Sequence, residues 1–160
     1  MVKQKGFTLI ELLIVVAIIL TIAVIAIPSL LRSRIAANES SAVASVRSLT
    51  TAEHAYATTF PYLGYTCNLS DLGPPPAGQP VSSTAGDVID GVLASGTKQG
   101  YSLSLSSCSG SPKSTYSSSA IPVTPGSTGV RSFCSDASGT IWFGGDGTAT
   151  TCKTSGSVLQ

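Results

Sequence analysis

The apolar residues divide the chain into two parts with different patterns. From residue 7 to residue 27 the sequence is apolar almost without interruption, and Glu11 is the one charged residue within it. As a helix, residues 7–31 extend about 37 Å, which exceeds the roughly 30 Å hydrocarbon core of a bilayer. The pattern therefore predicts a helix embedded in a membrane or in equally apolar surroundings.

After Pro28 the apolar residues recur three, four or seven positions apart and charged residues separate them, which is typical of one buried helical face. That face comprises Leu31, Ile35, Ala42, Val46, Leu49 and Tyr56. Residues 29–59 contain neither glycine nor proline, and Phe60-Pro61 supplies a stop. We therefore predict one helix of about 50 residues, whose second half packs under a sheet. Because proline has no amide donor, we expect a kink or local loosening at Pro28.

The remainder of the chain has turn and strand patterns. Residues 61–100 are rich in turn-forming residues and predict loops, with a short strand or turn over residues 87–93. Strand signals predict four strands, over residues 101–105, 116–123, 130–134 and 141–143, and in the first of them Tyr101, Leu103 and Leu105 alternate with serines. Residues 136–139 suit a hairpin turn between the last two. The predicted fold class is α+β: a long N-terminal helix packed against a small antiparallel sheet, whose outer face is mostly serine and threonine.

Length and charge limit the classes of function. The chain of 160 residues has room for one modest domain beyond the apolar segment, and 11% of its residues are charged. Its formal net charge is +1, from nine basic and eight acidic side chains. Without Lys3 and Lys5 the balance becomes seven against eight. No specific nucleic-acid binding is expected from such a balance.

The four cysteines all follow the apolar segment, at Cys67, Cys108, Cys134 and Cys152. This placement predicts two disulfides in an oxidising compartment, although four cysteines allow three pairings and the spacing alone does not choose among them. A zinc site is the alternative. The chain has no Cys-x-x-Cys pair and only one histidine, His54, so we predict no metal and no cofactor.

Catalytic motifs are also missing from the sequence. His54 lies beside Glu53 on the predicted helix with no nucleophile motif around it, which indicates an ordinary surface histidine. Residues 144–147 form a glycine-rich turn that lacks the lysine of a phosphate loop and the ligand series of an EF-hand. Calcium bound by Asp136 or Asp146 is the alternative for this region. We predict that the protein is not an enzyme.

An ordered motif precedes the apolar run. It reads Lys5-Gly6-Phe7-Thr8-Leu9-Ile10-Glu11-Leu12-Leu13 and resembles the processing site of type IV prepilins. The resemblance implies cleavage between Gly6 and Phe7, N-methylation of the new Phe7 amine, and Glu11 as an assembly residue. A carboxylate within a membrane costs roughly 2.5 to 3.5 kcal/mol near the helix centre, so Glu11 requires a compensating partner. The Phe7 amine of a neighbouring subunit is the partner we expect.

The resemblance also implies an organisation of the whole chain. Residues 1–6 are the leader, 7–31 the transmembrane or fibre-core segment, 32–60 the amphipathic half of the helix, and 61–160 a periplasmic or extracellular domain. Because pilins commonly have a disulfide-bounded segment near the carboxyl end, the resemblance favours Cys134 with Cys152 and leaves Cys67 with Cys108. Many relatives carry a glycine midway through the apolar run, where this sequence has Leu20.

The implied function is a structural subunit of a type IV pilus. A prepilin peptidase and methylase would process it, and inner-membrane assembly machinery would polymerise identical copies into an extracellular filament for adhesion, motility or DNA uptake. Before assembly, Lys3 and Lys5 predict a single-pass inner-membrane protein with a cytoplasmic amino end.

Three alternatives compete with this interpretation. A pseudopilin of a type II secretion system carries the same leader motif but forms a periplasmic fibre. A membrane-anchored binding domain that never polymerises belongs to another class, and it would require neither the Gly6-Phe7 motif nor Glu11. A secretory signal peptide would be cut after the apolar region, near Ala23 and Ala26, and would discard the motif.

Overall fold

The computed structural model describes residues 6–144 and 156–159. The chain forms two compact units, Met1–Arg34 and Ile35–Gln160. One helix, α1 (Leu9–Thr59), runs from the first unit into the second and has 51 residues. It ends directly before Phe60-Pro61. The predicted long helix and its stop are therefore confirmed.

In the N-terminal unit, the apolar side chains of α1 are exposed. The exposed fraction of the large ones ranges from 46% at Val16 to 81% at Leu9. A window of 18 residues has a mean hydropathy of 3.2 and is not buried at all, so by length and composition the helix can cross a membrane. The Thr21 hydroxyl fits this apolar stretch because it donates to the carbonyl oxygens of Ala17 and Ile18. Pro28 lies inside α1, and the kink expected there stays a prediction.

The C-terminal unit contains one antiparallel sheet whose strands lie in sequence order. Its strands are β1 (Thr97–Lys98), β2 (Tyr101–Gly110), β3 (Lys113–Pro122), β4 (Ser132–Asp136), β5 (Ile141–Gly144) and β6 (Ser157–Val158). The four predicted strands correspond to β2, β3, β4 and β5, and the α+β fold class is confirmed. The hairpin turn after β4 is also as predicted, with Gly139 at φ 75° and its amide donating to the Asp136 carbonyl at 2.9 Å.

The segment from residue 61 to residue 100 is largely loop, with two short helices, α2 (Leu69–Leu72) and α3 (Gly91–Ala94). Of the short strand or turn that we predicted over residues 87–93, the strand is wrong, and the structure has the single helical turn α3. Asp90 begins a helical turn there, since its carboxylate accepts the Leu93 amide at 2.6 Å. An aspartate in this capping position favours a helix over a strand.

The core of this unit lies between α1 and the sheet. On the sheet side, Leu103 of β2 pairs with Ala120 of β3, which pairs with Phe133 of β4, so the three side chains form one row on the inner face. The core residues of α1 are Ala42, Val46, Leu49, Ala52 and Tyr56, and they pack against this face. Each large apolar side chain buried in this way contributes roughly 1.5 to 3 kcal/mol. The predicted apolar face is confirmed from Ala42 onward, whereas Leu31 is exposed.

A disulfide joins Cys67, in the loop after α1, to Cys108 on β2, with 6.0 Å between the Cα atoms. By closing a loop of 41 residues it stabilises the fold by roughly 2 to 4 kcal/mol. Cys134 is buried on β4, but Cys152 lies outside the described residues. The pairing of Cys134 with Cys152 stays a prediction, which peptide mapping under non-reducing conditions would test.

Candidate processing and assembly site

The bond between Gly6 and Phe7 lies in a non-helical segment ahead of α1, which begins at Leu9. The Phe7 side chain is 84% exposed. A Cβ atom built on Gly6 would meet no other atom within 4 Å. The peptide bond that the leader motif marks is therefore accessible, and a side chain at Gly6 would not disturb the fold.

Thr8 and Glu11 cap the start of α1 reciprocally. Oε2 of Glu11 accepts hydrogen bonds from the Thr8 amide at 2.9 Å and from the Thr8 hydroxyl at 2.6 Å. In return, the Glu11 amide donates to Oγ1 of Thr8 at 3.3 Å. This is a capping box, in which the residue before a helix and its third residue satisfy each other's amides.

The capping box gives Glu11 a local partner in addition to any partner in a fibre. Thr8 donates only to Oε2, so Oε1 of Glu11 keeps its lone pairs for a further donor. In the uncut chain the nitrogen of Phe7 is part of a peptide bond and carries no charge. The Thr-x-x-Glu spacing is a sequence signal for this cap, which we missed because we considered Glu11 only as a charge in a membrane.

A second carboxylate on α1 anchors the loop before β4. Glu39 is buried, and its Oε1 accepts the amides of Val130 and Arg131 at 3.0 and 3.1 Å. Its Oε2 accepts Nε and a terminal nitrogen of the Arg131 guanidinium at 2.8 and 2.6 Å. Beside it, the Asn38 side chain donates to the Thr128 carbonyl at 2.9 Å. Two consecutive helix residues thus fasten the loop that connects β3 and β4.

Electrostatics favour the charged form of Glu39. Burial opposes its ionisation, but the hydrogen bonds from the Arg131 side chain and from the two amides outweigh that effect and hold the pKa of Glu39 below its usual value. The guanidinium of Arg131 also lies over the rings of Phe133 and Phe143, 5.6 and 5.4 Å from their centroids. Sequence analysis did not identify this pair because its members are far apart in the chain.

Glu53 is the third carboxylate on α1 and has no exposed surface. Its Oε2 accepts the Thr66 amide at 2.9 Å, while Oε1 has no hydrogen-bond partner among the described residues. Burial raises the pKa of Glu53 to about 7. The hydrogen bond from the Thr66 amide and the charge of Lys113 act to lower this pKa, and the charge of Asp71 acts to raise it. In the sequence pattern, Glu53 is one of the charged residues that separate the apolar positions of the helix, so its burial was not expected.

We expect the stability of the C-terminal unit to fall as pH rises through neutrality. The pKa of Glu53 rises from 4.5 to about 7 on folding, so its contribution is complete below pH 4.5 and is lost as pH rises through 7. The free energy of unfolding should decrease by roughly 3 kcal/mol between about pH 5 and pH 8. Urea titration of the full chain in detergent, followed by the fluorescence of Trp142, measures this change.

Glu53→Gln is the matched control, because an amide is neutral at every pH and resembles the protonated acid in shape. Its unfolding free energy should stay nearly constant across the same pH range. An equal decrease in the Glu53→Gln variant would show that another group is responsible.

His54 is exposed on α1, and its Nδ1 lies 3.2 Å from the hydroxyl of Tyr65. The predicted surface position of His54 is therefore confirmed. Within the described ranges, no three His, Cys, Asp or Glu side chains are grouped so that they could hold a metal ion. Asp146, one of the two alternative calcium ligands, lies outside those ranges.

An accessible Gly–Phe bond lies ahead of a capped apolar helix that is long enough to cross a membrane, and this arrangement, with the α+β domain, fits a membrane-anchored precursor. Residues 1–27 match the family model of the prokaryotic N-terminal methylation motif. The chain thus carries the signature of type IV pilins and pseudopilins, which are structural proteins. This motif implies processing by a prepilin peptidase and handling by pilus assembly machinery.

Comparison with curated proteins gave no significant match, and neither did comparison with solved structures. The family model ends at residue 27, so the finer role of the C-terminal unit rests on its own structure.

Proposed function

We propose that this protein is the subunit of a type IV pilus, cut between Gly6 and Phe7 and polymerised through its N-terminal helix into an extracellular filament. The observation that carries this proposal is the combination of an apolar half of α1 whose large side chains are exposed with one carboxylate close to an accessible cleavage bond. In water that half of the helix is unstable, because apolar surface favours apolar surroundings. The membrane supplies them before assembly, and identical helices supply them in the fibre.

Glu11 couples processing to assembly in this proposal. Cleavage creates a positive amine at Phe7, and the amine of an incoming subunit neutralises Glu11 of a subunit already in the fibre. Oε1 of Glu11 is the atom with capacity for this contact, since Thr8 donates only to Oε2. An uncut subunit offers no amine and would leave a carboxylate uncompensated in an apolar core, at a cost of several kcal/mol.

We propose a division of the chain into four segments, based on the leader motif and on the apolar or polar character of each segment. Residues 1–6 are removed as a leader, residues 7–31 span the inner membrane with the amino end in the cytoplasm, residues 32–60 form the amphipathic helix half, and residues 61–160 form the domain outside. The disulfide between Cys67 and Cys108 agrees with an oxidising compartment.

The main alternative is a pseudopilin, whose fibre stays in the periplasm and drives protein secretion. Two features favour the surface pilus: predicted stabilisation by two disulfides, and a weakly charged outer face on which Ser102, Ser104 and Ser106 of β2 are exposed. Filaments sheared from the cell surface and identified by their subunit would separate the two. A plain membrane anchor would yield no filament.

We expect Gly6→Val to stop processing. A branched side chain next to the scissile bond obstructs a peptidase site that accepts glycine, and the open space around Gly6 means that the substitution does not disturb the fold. Uncut precursor should become the main species and accumulate in the membrane fraction, as measured by the mass of the N-terminal peptide. Membrane fractionation of the wild type is the control. Normal cleavage of Gly6→Val would contradict the assignment of the bond.

A further inference from the structure

The apolar run of α1 is followed directly by two arginines. Arg32 and Arg34 are both exposed, and the sequence places no acidic residue within one helical turn of either. The ion pairs among the described residues are Lys98 with Asp90 and Arg131 with Glu39, so neither arginine has an acidic partner there. Two full positive charges therefore project from the helix into its surroundings.

The two arginines point to different sides of α1. Residues two positions apart on a helix are separated by about 200° around its axis. A partner protein with one docking surface would contact one guanidinium and leave the other in solvent. A membrane interface surrounds a helix on every side, so it can contact both at once.

The position of the arginines along α1 also matches a membrane interface. The helix from Leu9 to Leu31 is about 33 Å long, close to the thickness of a bilayer hydrocarbon core. When Glu11 lies near one headgroup layer, Arg32 and Arg34 lie at the level of the other. Arginine side chains are long enough to keep their stems in the apolar layer while the guanidinium reaches the phosphates.

We propose that Arg32 and Arg34 bind the phosphate groups of anionic phospholipids at the outer face of the inner membrane and hold the subunit there before assembly. This inference rests on the membrane-embedded state in the proposed function. It adds a partner of defined chemistry, an anionic lipid headgroup, that the subunit releases when it enters a fibre.

The test measures the preference of the protein for anionic lipid. Full-length protein is reconstituted in phosphatidylcholine vesicles that contain spin-labelled phosphatidylglycerol or spin-labelled phosphatidylcholine, and the immobilised fraction of each label gives their relative association constant. All variants carry Lys3→Gln and Lys5→Gln, so the leader does not contribute. We expect phosphatidylglycerol to be preferred about fivefold for each arginine that contacts a headgroup.

The double variant Arg32→Gln/Arg34→Gln should lose this preference. Arg47→Gln is the matched control, since it removes one exposed arginine of α1 in the C-terminal unit, and it should keep the preference. Soluble glycerol phosphate should not compete, which separates lipid from free phosphate. Three outcomes would overturn this inference and leave the membrane-embedded state intact. They are an unchanged preference in the double variant, an equal loss in Arg47→Gln, and competition by glycerol phosphate. Absence of any immobilised lipid would overturn the membrane-embedded state as well.

Discussion

Substitution of Glu11 by alanine should nearly abolish incorporation into filaments, while membrane insertion and cleavage continue. Alanine is apolar and favours helix, so the precursor should insert normally. Incorporation should fail because the Phe7 amine of each incoming subunit would then enter an apolar core without a carboxylate. An uncompensated buried charge costs several kcal/mol, which corresponds to a loss of a hundredfold or more. Expression of the variant in place of the wild-type subunit, with quantitative mass spectrometry of sheared filaments, measures this loss, because beside wild-type subunits a variant chain can still dock on a wild-type Glu11.

Thr8→Ala distinguishes this pairing mechanism from a simple effect on the helix cap. It removes the hydroxyl that the Glu11 carboxylate and amide both contact, but leaves the carboxylate in place. Loss of such a cap costs about 1 kcal/mol, so Thr8→Ala should reduce incorporation only modestly. If Thr8→Ala is as severe as Glu11→Ala, the capping box is the cause. If Glu11→Ala polymerises at the normal rate, Glu11 is no assembly residue.

Glu39→Ala should lower the free energy of unfolding of the C-terminal unit by roughly 3 kcal/mol. The substitution leaves the amides of Val130 and Arg131 without their acceptor and the Arg131 guanidinium without its counter-ion. Unpaired buried donors cost about 1 to 3 kcal/mol each, although part of this cost is relieved where the loop opens to water. Urea unfolding of the full chain in detergent, with the single tryptophan as reporter, measures the loss.

Two further variants divide the contribution of Glu39 between its contacts. Glu39→Gln keeps an acceptor for the backbone amides and removes the charge, so its loss should be smaller. Arg131→Ala keeps both amide contacts but leaves the buried Glu39 carboxylate without its counter-ion, so its loss should exceed that of Glu39→Gln. If all three variants unfold at the wild-type urea concentration, the contacts between Glu39 and Arg131 do not hold the loop in place.

The helix was the most predictable element because its signals are local and repeated. The continuous apolar run indicates its first half, and apolar spacing along one face, the absence of glycine and proline over residues 29–59 and the stop at Phe60-Pro61 agree on its second half. β2 was also predictable, since its apolar residues alternate with serines, whereas four of the five residues of β4 are buried and show no such alternation. β1 and β6 have two residues each, which is too short for any period to be read from the sequence.

The buried carboxylates Glu39 and Glu53 could not be predicted from their own positions. Carboxylates are almost never fully buried unless they are paired, so a charged residue in a helical pattern indicates the solvent face. Their partners are supplied by the tertiary fold, and Arg131 is distant from Glu39 in sequence. The cap formed by Thr8 and Glu11 differs from these, because its spacing is local and the sequence contains the whole signal.

The most direct test of the proposed function is the N-terminal peptide of the subunit in filaments sheared from the cell surface. Mass spectrometry should find a chain that begins at Phe7 and carries a methyl group on the Phe7 amine. Filaments whose subunit retains Met1, or begins after the apolar segment near Pro28, would contradict the proposed processing and assembly.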